Sequence, residues 1–508
     1  MAFFMLCACS VRRKLRIHLS AMAATNTAGE HAVLLALQGF CRRNSEGMDI
    51  ASVDVAADDN HALREAAKQG DIDVVRYLCS LPLSRGVDPA AANNRAVFNA
   101  ALHGHLGVVK LLCELPLERG VDVAMCYNSP LTKACWNGHT RVVEYLCSLP
   151  PERGVTPTAV KNSPLRCAAG QGHVDTVAFL LSLPPERGVD PAAVNSSALR
   201  SAVTGGHLDV VKLLCGLPRW RGVDVASVDN QALVIAAVSG FTDIVKHLCE
   251  LPLGRGVDPT ARHHNALTAA AANGFVDVVR VLCELPESRG VDPGFRDNEA
   301  VRLAASNGRT SVVRYLCSLP PHRGVNVAAK ENEAISDAVS YGRRGVVSFL
   351  CGLPASYGVD VAGDGLVQRA CKNGHADILE LLASLPRRRG VRVTSDVTLI
   401  AAAASRGHAR VVKLLCARFA GTMEAENAMR LALTEAMGMK QPKVVGVLCN
   451  LPSPMALSCS DILRVCCRSQ HDAVCTPVAL DAVMWRQKRA VLVLHKLRLL
   501  ARAVPCRR

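Results

Sequence analysis

Apolar positions recur along most of this chain as two short, alternating stripes. In residues 62–95, Leu63, Ala66 and Ala67 fall at i, i+3 and i+4, with Arg64, Glu65 and Lys68 between them. That spacing predicts a short helix with one buried face. Gly70 follows as its C-cap and permits the turn to a second helix. The second helix opens on Asp71 and Asp73, acids where the helix dipole favours them, and buries Val74, Val75, Leu78, Cys79 and Leu81. Pro82 ends it, because proline has no N–H to continue the ladder. Past Gly86, Asp88-Pro89-Ala90-Ala91 predicts a short helical start, with Asp as cap and Pro at the first helical position. Valine replaces that proline in other copies, so the extra turn is not expected in every one.

The whole pattern repeats. Gly-Val pairs begin at Gly86, Gly120, Gly154, Gly188, Gly222, Gly256, Gly290, Gly324 and Gly358, each 34 residues after the last. A fixed period in the range of about 20–50 residues marks a solenoid, whose units bury their apolar faces against their neighbours. Helix pairs are expected to begin near Ala62, Ala96, Pro130, Pro164, Ala198, Ala232, Ala266, Ala300, Ala334, Leu366 and Leu399, with a degenerate twelfth near Ala428. The expected fold is therefore mainly all-α, a helix-pair repeat solenoid of 11 or 12 units over 62–452. A capping helix and connection are expected over 30–61, carrying Val33, Leu34, Leu35 and Leu37, and a basic helical cap over 453–508. Such a fold has no single central pocket in which to organise chemistry. It offers a long surface, which points to binding.

The segments ALRSAVTGGHLDVVKLLC, from residue 198, and ALREAAKQGDIDVVRYLC, from residue 62, resemble the helical half of the ankyrin repeat. Paired small residues, a Gly-His turn and an acidic-Val-Val-x-x-Leu-Leu second helix carry the likeness across roughly residues 62–450. The turn recurs at Gly104-His105, Gly138-His139, Gly172-His173, Gly206-His207, Gly374-His375 and Gly407-His408. Two features depart from the family. The Thr-Pro-Leu-His opening of the first helix is absent, and the stretch from turn glycine to Gly-Val-Asp is 16 residues against about 12 in the ankyrin pattern. The segment before the first helix is correspondingly short, so β-hairpin fingers are expected to be shrunken, missing or replaced by helical turns. The resemblance implies a protein-interaction scaffold or adaptor that binds on the concave face of its first helices.

Charge adds a rival reading. The net charge is +15, of which residues 1–29 carry +4 and residues 453–508 carry +7, leaving +4 for everything between. The ends are basic and the array nearly neutral. Binding of nucleic acid or an anionic membrane through the ends is the alternative to a protein partner, and phosphate contacts would make it steeply salt-dependent. The end segment holding Leu492, Leu499 and Leu500 reads as a basic amphipathic helix, suited either to capping the last repeat or to an anionic surface. Residues 1–29, basic and acid-free, read as a disordered extension, with organellar targeting as the alternative.

Ten of the 22 cysteines stand in one column: Cys79, Cys113, Cys147, Cys215, Cys249, Cys283, Cys317, Cys351, Cys416 and Cys449. Stacked helices lie roughly 8–10 Å apart, too far for a disulfide, whose Cα atoms sit within about 7 Å. Leu181 and Ala383 replace cysteine in the same column, which fits a small buried apolar role. An intracellular, cytoplasmic setting and a monomer are expected. No stretch reaches the ~18 apolar residues of a membrane span.

Candidate partner-binding residues are those that break the repeat. Phe98 and Trp136 occupy columns held by Arg64 and Lys68, where Thr132, Arg166, Arg200, Ser306 and Ser340 are small or polar in other copies. Exposed aromatics are natural anchors, and Lys133 lies one turn from Trp136; packing against the next repeat is the other reading. Trp220, between Arg219 and Arg221, is either a contact for an acidic partner or a loop staple. The Gly-His histidines recur once per layer without converging, which favours structural hydrogen bonding over metal binding. Cys467, His471 and Cys475 share one face at i, i+4 and i+8, yet structural zinc usually draws on Cys-x-x-Cys turns. No phosphate-cradling loop, nucleophile motif or catalytic carboxylate pair stands apart from the repeats. No enzyme and no cofactor are expected.

Overall fold

The computed structural model describes residues 55–362, 364–386, 397–419 and 425–451, with isolated positions Ile462, Val478, Ala479, Asp481 and Val483. The extension over 1–29, the capping helix within 30–54, the Cys467, His471 and Cys475 trio, and the basic cap apart from those isolated positions lie outside the described residues. Among the described residues every regular element is helical and there is no strand. The chain divides at Asp258 and Pro259 into two compact units.

In the unit ending at Asp258, first helices run Ala57–Gln69, Ala91–Leu102, Met125–Trp136, Ala159–Gly170, Ala193–Gly205 and Ser227–Ser239. Each is followed by a second helix, of which Ile72–Ser80, Thr140–Ser148 and Thr242–Glu250 are examples. The other unit repeats the pairing from Ala261–Asn273 with Val276–Cys283 to Ala425–Gly438 with Pro442–Cys449. First helices pack on first helices and second on second within each unit. The core is the pair of stripes read from the sequence: Leu63, Ala66, Ala67, Val74, Val75, Leu78 and Cys79 are buried, as are their counterparts in later copies except Ala383, which is half-buried. Leu81 is half-buried instead, because the second helix ends before it.

The opening of each first-helix range from Ala57–Gln69 to Ala329–Ser340 is where the sequence reading needs correction, since the right-handed helix begins only after it. The expected right-handed start at Asp88-Pro89 is an Asp-capped turn, with Asp88 Oδ1 accepting from Ala90 N at 2.9 Å. Three residues of left-handed helix follow, at φ of 52°, 56° and 58° for Ala92, Asn93 and Asn94. The same turn stands in every copy from Asp58–Asn60 to Lys330–Asn332. Copies with Val123, Val225 or Val327 in place of proline keep it, since Asp122, Asp224 and Asn326 still make the cap. These turns replace the β-hairpin fingers. Left-handed geometry costs roughly 1–2 kcal/mol per non-glycine residue, so something must hold it. Part of the answer is a bond back across the turn, Asn94 N to Ala90 O at 2.7 Å.

The rest comes from three rungs that tie each repeat to a neighbour. The last left-handed residue, usually Asn, is buried or half-buried and accepts from the next repeat's backbone: Asn60 Oδ1 from Asp88 N at 2.9 Å, Asn128 from Thr156 N at 2.8 Å, Asn298 from Asn326 N at 2.7 Å. Ser196 fills the same role toward Asp224 N at 2.9 Å. A second rung comes from the arginine of Leu-Pro-x-x-Arg-Gly, which caps the preceding second helix. Arg255 donates to Cys215 O at 2.9 Å and Leu217 O at 3.4 Å, and Tyr357 Oη donates to Cys317 O at 3.2 Å. A third comes from the Gly-His turn. His105, His139, His173 and His207 each donate from Nε2 to a first-helix carbonyl of the preceding repeat, those of Lys68, Leu102, Trp136 and Gly170, at 2.9–3.1 Å. The turn glycine makes room for that ring: a Cβ on Gly70, Gly104, Gly138 or Gly172 would collide with the histidine of the next repeat. Arg309 and Arg343 do the same work toward Ala272 O and Ser306 O. The histidine column is thus structural, as its spacing implied.

Candidate first-helix interface

With backbone groups held by the rungs, the side chains that break the repeat are left on the surface. Trp136 closes the first helix Met125–Trp136; its carbonyl takes the His173 rung while its ring remains 46% exposed. Lys133, one turn earlier, places its ammonium 5.6 Å from the indole centroid, a cation–π distance. Phe98 lies on the adjacent first helix, Ala91–Leu102, which packs on that of Trp136. It is half-buried rather than exposed, with the Arg95 guanidinium 4.6 Å above its ring. The structure therefore brings Phe98, Lys133 and Trp136 onto neighbouring helices and makes Trp136 the more accessible of the two aromatics.

Trp220 is elsewhere. It sits on the short 3-10 turn Arg219–Arg221 that follows a second helix, 75% exposed, with Arg221 5.5 Å from its ring centroid. A ring so open is not a staple, and the packed-loop reading is set aside. Sequence reasoning missed Tyr127, 80% exposed on the left-handed turn, in a column of Asp59, Asn93 and Lys161. The signal was present, an aromatic among polar residues, in a region read as shrunken. Arg64, Arg166 and Arg200, which look like free charges in the sequence, turn back to cap the left-handed turn before them, as Arg64 does to Asp59 O at 3.0 Å and Arg166 to Val160 O at 3.1 Å.

The two helix layers of this unit differ in charge. First-helix segments 61–69, 95–103, 129–137, 163–171, 197–205 and 231–239 carry six basic residues and one acid, Glu65. Second-helix segments 71–80, 105–114, 139–148, 173–182, 207–216 and 241–250 carry eight acids and five basic residues. Glu65 is paired with Lys68 at 3.4 Å, so these segments, which follow the left-handed turns, make a positive surface with an indole on it. The thiol column takes no part in it: burial pushes Cys113 and Cys283 up to about 12 and Cys147 and Cys215 up to about 11, away from thiolate chemistry.

Helix pairs of fixed period and a Gly-His turn locked by the next repeat define a helical repeat protein. The family model described as ankyrin repeats, in three copies, matches residues 63–154 and 131–229. Over residues 63–229 the chain is similar to ankyrin repeats, which are generally protein-interaction modules. No curated protein matches the sequence. Among the described residues no helix is long and apolar enough to cross a membrane.

Proposed function

We propose that this chain is a monomeric, non-enzymatic interaction scaffold whose first-helix face between residues 55 and 258 receives a protein partner. Phe98, Lys133 and Trp136 form its anchor, and Trp220 is a separate contact on the loop edge. The supporting observation is Trp136: an indole nearly half exposed, beside a lysine cation, on a backbone fixed from the next repeat. Preorganisation of that kind lowers the ordering cost of binding. Anchors at interface centres typically cost 2 kcal/mol or more on truncation.

The test is affinity capture by the full chain from native lysate, quantified for the natural sequence, Trp136→Ala and Phe98→Ala at low and high salt. Proteins retained at high salt, and lost at least about tenfold with Trp136→Ala, are the expected outcome. Retention unchanged by either substitution would remove the anchor. The basic ends, at +4 and +7, favour a second reading, in which an anionic polymer or membrane binds there. Capture that vanishes as salt rises and ignores both substitutions would establish that reading in its place.

A further inference from the structure

Arginine recurs in one first-helix column, and its surroundings differ between copies in a way that identifies a ligand chemistry. Arg302 engages all three nitrogens: Nε donates to Asp297 O at 3.1 Å, Nη2 to Arg296 O at 3.2 Å, and Nη1 to the Glu333 carboxylate at 2.8 Å. Glu333 stands 31 residues on, at the start of the next first helix. Arg166 has Ser197 at that same register. Its Nη2 reaches Val160 O at 3.1 Å, but Nε is buried without a hydrogen-bond partner, and so is Ser197 Oγ, on a residue only 8% exposed.

Serine cannot supply what Glu333 supplies. A guanidinium presents five donors in a fork that fits a carboxylate. Arg166 Nη1, the counterpart of the nitrogen that meets Glu333, has no carboxylate beside it, and Nε, which on Arg302 meets the Asp297 carbonyl, is buried with no acceptor. Buried donors left in that state are rare in native proteins and costly. Of the acids on these first helices, Glu65 is held by Lys68, and Asp58, Asp59 and Asp229 stand on the left-handed turns of other repeats.

We propose that Arg166 and Ser197 receive a carboxylate from an acidic side chain of the partner protein, which takes the place Glu333 holds on Arg302. This rests on the scaffold reading and adds to it the chemistry of the partner: an acidic segment, drawn to the six basic residues of this face and seated on Arg166. The Ser197 hydroxyl donates to the second carboxylate oxygen. Specificity then comes from one repeat boundary, not from the net charge of the chain.

The experiment selects random dodecapeptides by display on the full natural chain and measures the enriched clones by fluorescence polarisation against three variants. Clones should be enriched in Asp and Glu. Ser197→Glu, which builds the intramolecular pair seen at Arg302, should weaken them at least tenfold, and Ser197→Gln, of like size and no charge, less than threefold. Arg166→Gln is the second route to the same loss, should Ser197→Glu fail to keep its far-ultraviolet circular dichroism. Clones without acid enrichment, clones that bind Ser197→Glu and Arg166→Gln as tightly as the natural chain, or no enrichment at all would each overturn the proposal. Trp136→Ala measured in parallel separates the two readings. Loss there with indifference to Ser197 and Arg166 keeps the aromatic anchor and sinks the carboxylate site, and the reverse pattern does the opposite.

Discussion

A single asparagine per repeat carries much of the burden of the left-handed turn. Asn and Asp tolerate that conformation better than other side chains, and in this column the amide also accepts from the next repeat. Asn128→Ala should therefore lose twice, once in backbone preference and once by leaving Thr156 N without its partner at 2.8 Å. A loss of about 1–3 kcal/mol is expected, read as a lower urea midpoint of the full chain. Asn128→Ser should recover part of it, because Ser196 bonds Asp224 N in the same way. The column of Asn60, Asn94, Asn128, Asn162, Asn230, Asn298 and Asn332 was visible in the sequence at the 34-residue period. Its meaning was not, since periodicity of apolar residues says nothing about which polar residue reaches a backbone N–H 28 residues away.

At the level of elements, the helices were legible and the joints were not. Leu63, Ala66 and Ala67 fix the first helix and Val74, Val75 and Leu78 the second, because burial of a stripe leaves one arrangement. The Gly-His joint was read as a turn, yet the histidine belongs to its neighbour as much as to its own helix. That sharing gives the joint a pH dependence. Burial holds the His139 imidazole below its ordinary value; the Leu102 carbonyl it donates to raises it, and nearby His105, His173 and His103 lower it further. The folded state thus binds the proton less readily than the unfolded one. Its contribution to stability is full above the ordinary imidazole value of about 6.5 and is lost as pH falls from there toward the folded value. The urea midpoint should drop between about pH 7 and pH 5, and His139→Gln should flatten that slope. Gln441, set against Gly407 where other copies place a ring, indicates that an amide fits the joint.

Across the molecule, stability is a sum of repeats and their interfaces rather than a property of one core. Thiol chemistry reads that sum. Cys126 is exposed on its left-handed turn, whereas Cys113, Cys147 and Cys283 are buried and held above their ordinary range. Maleimide labelling of the native chain, mapped by peptide, should reach Cys126 well before those three, and rising urea should expose the column repeat by repeat. Equal native rates at Cys126 and Cys113 would contradict the packing described. The sequence showed the solenoid, the absent fingers and Trp136 as an outlier. The division at Asp258 and Pro259 was not visible, because the 34-residue period passes through it unchanged. The histidine rung has one more consequence. Its acceptors are main-chain carbonyls, at Lys68, Leu102, Trp136 and Gly170. A main-chain acceptor is indifferent to the side chain it belongs to, so these surface positions are open to mutation without disturbing the joint beneath. Recognition can drift while the architecture stays fixed, which is how one repeat comes to carry lysine, leucine, tryptophan and glycine at the same place.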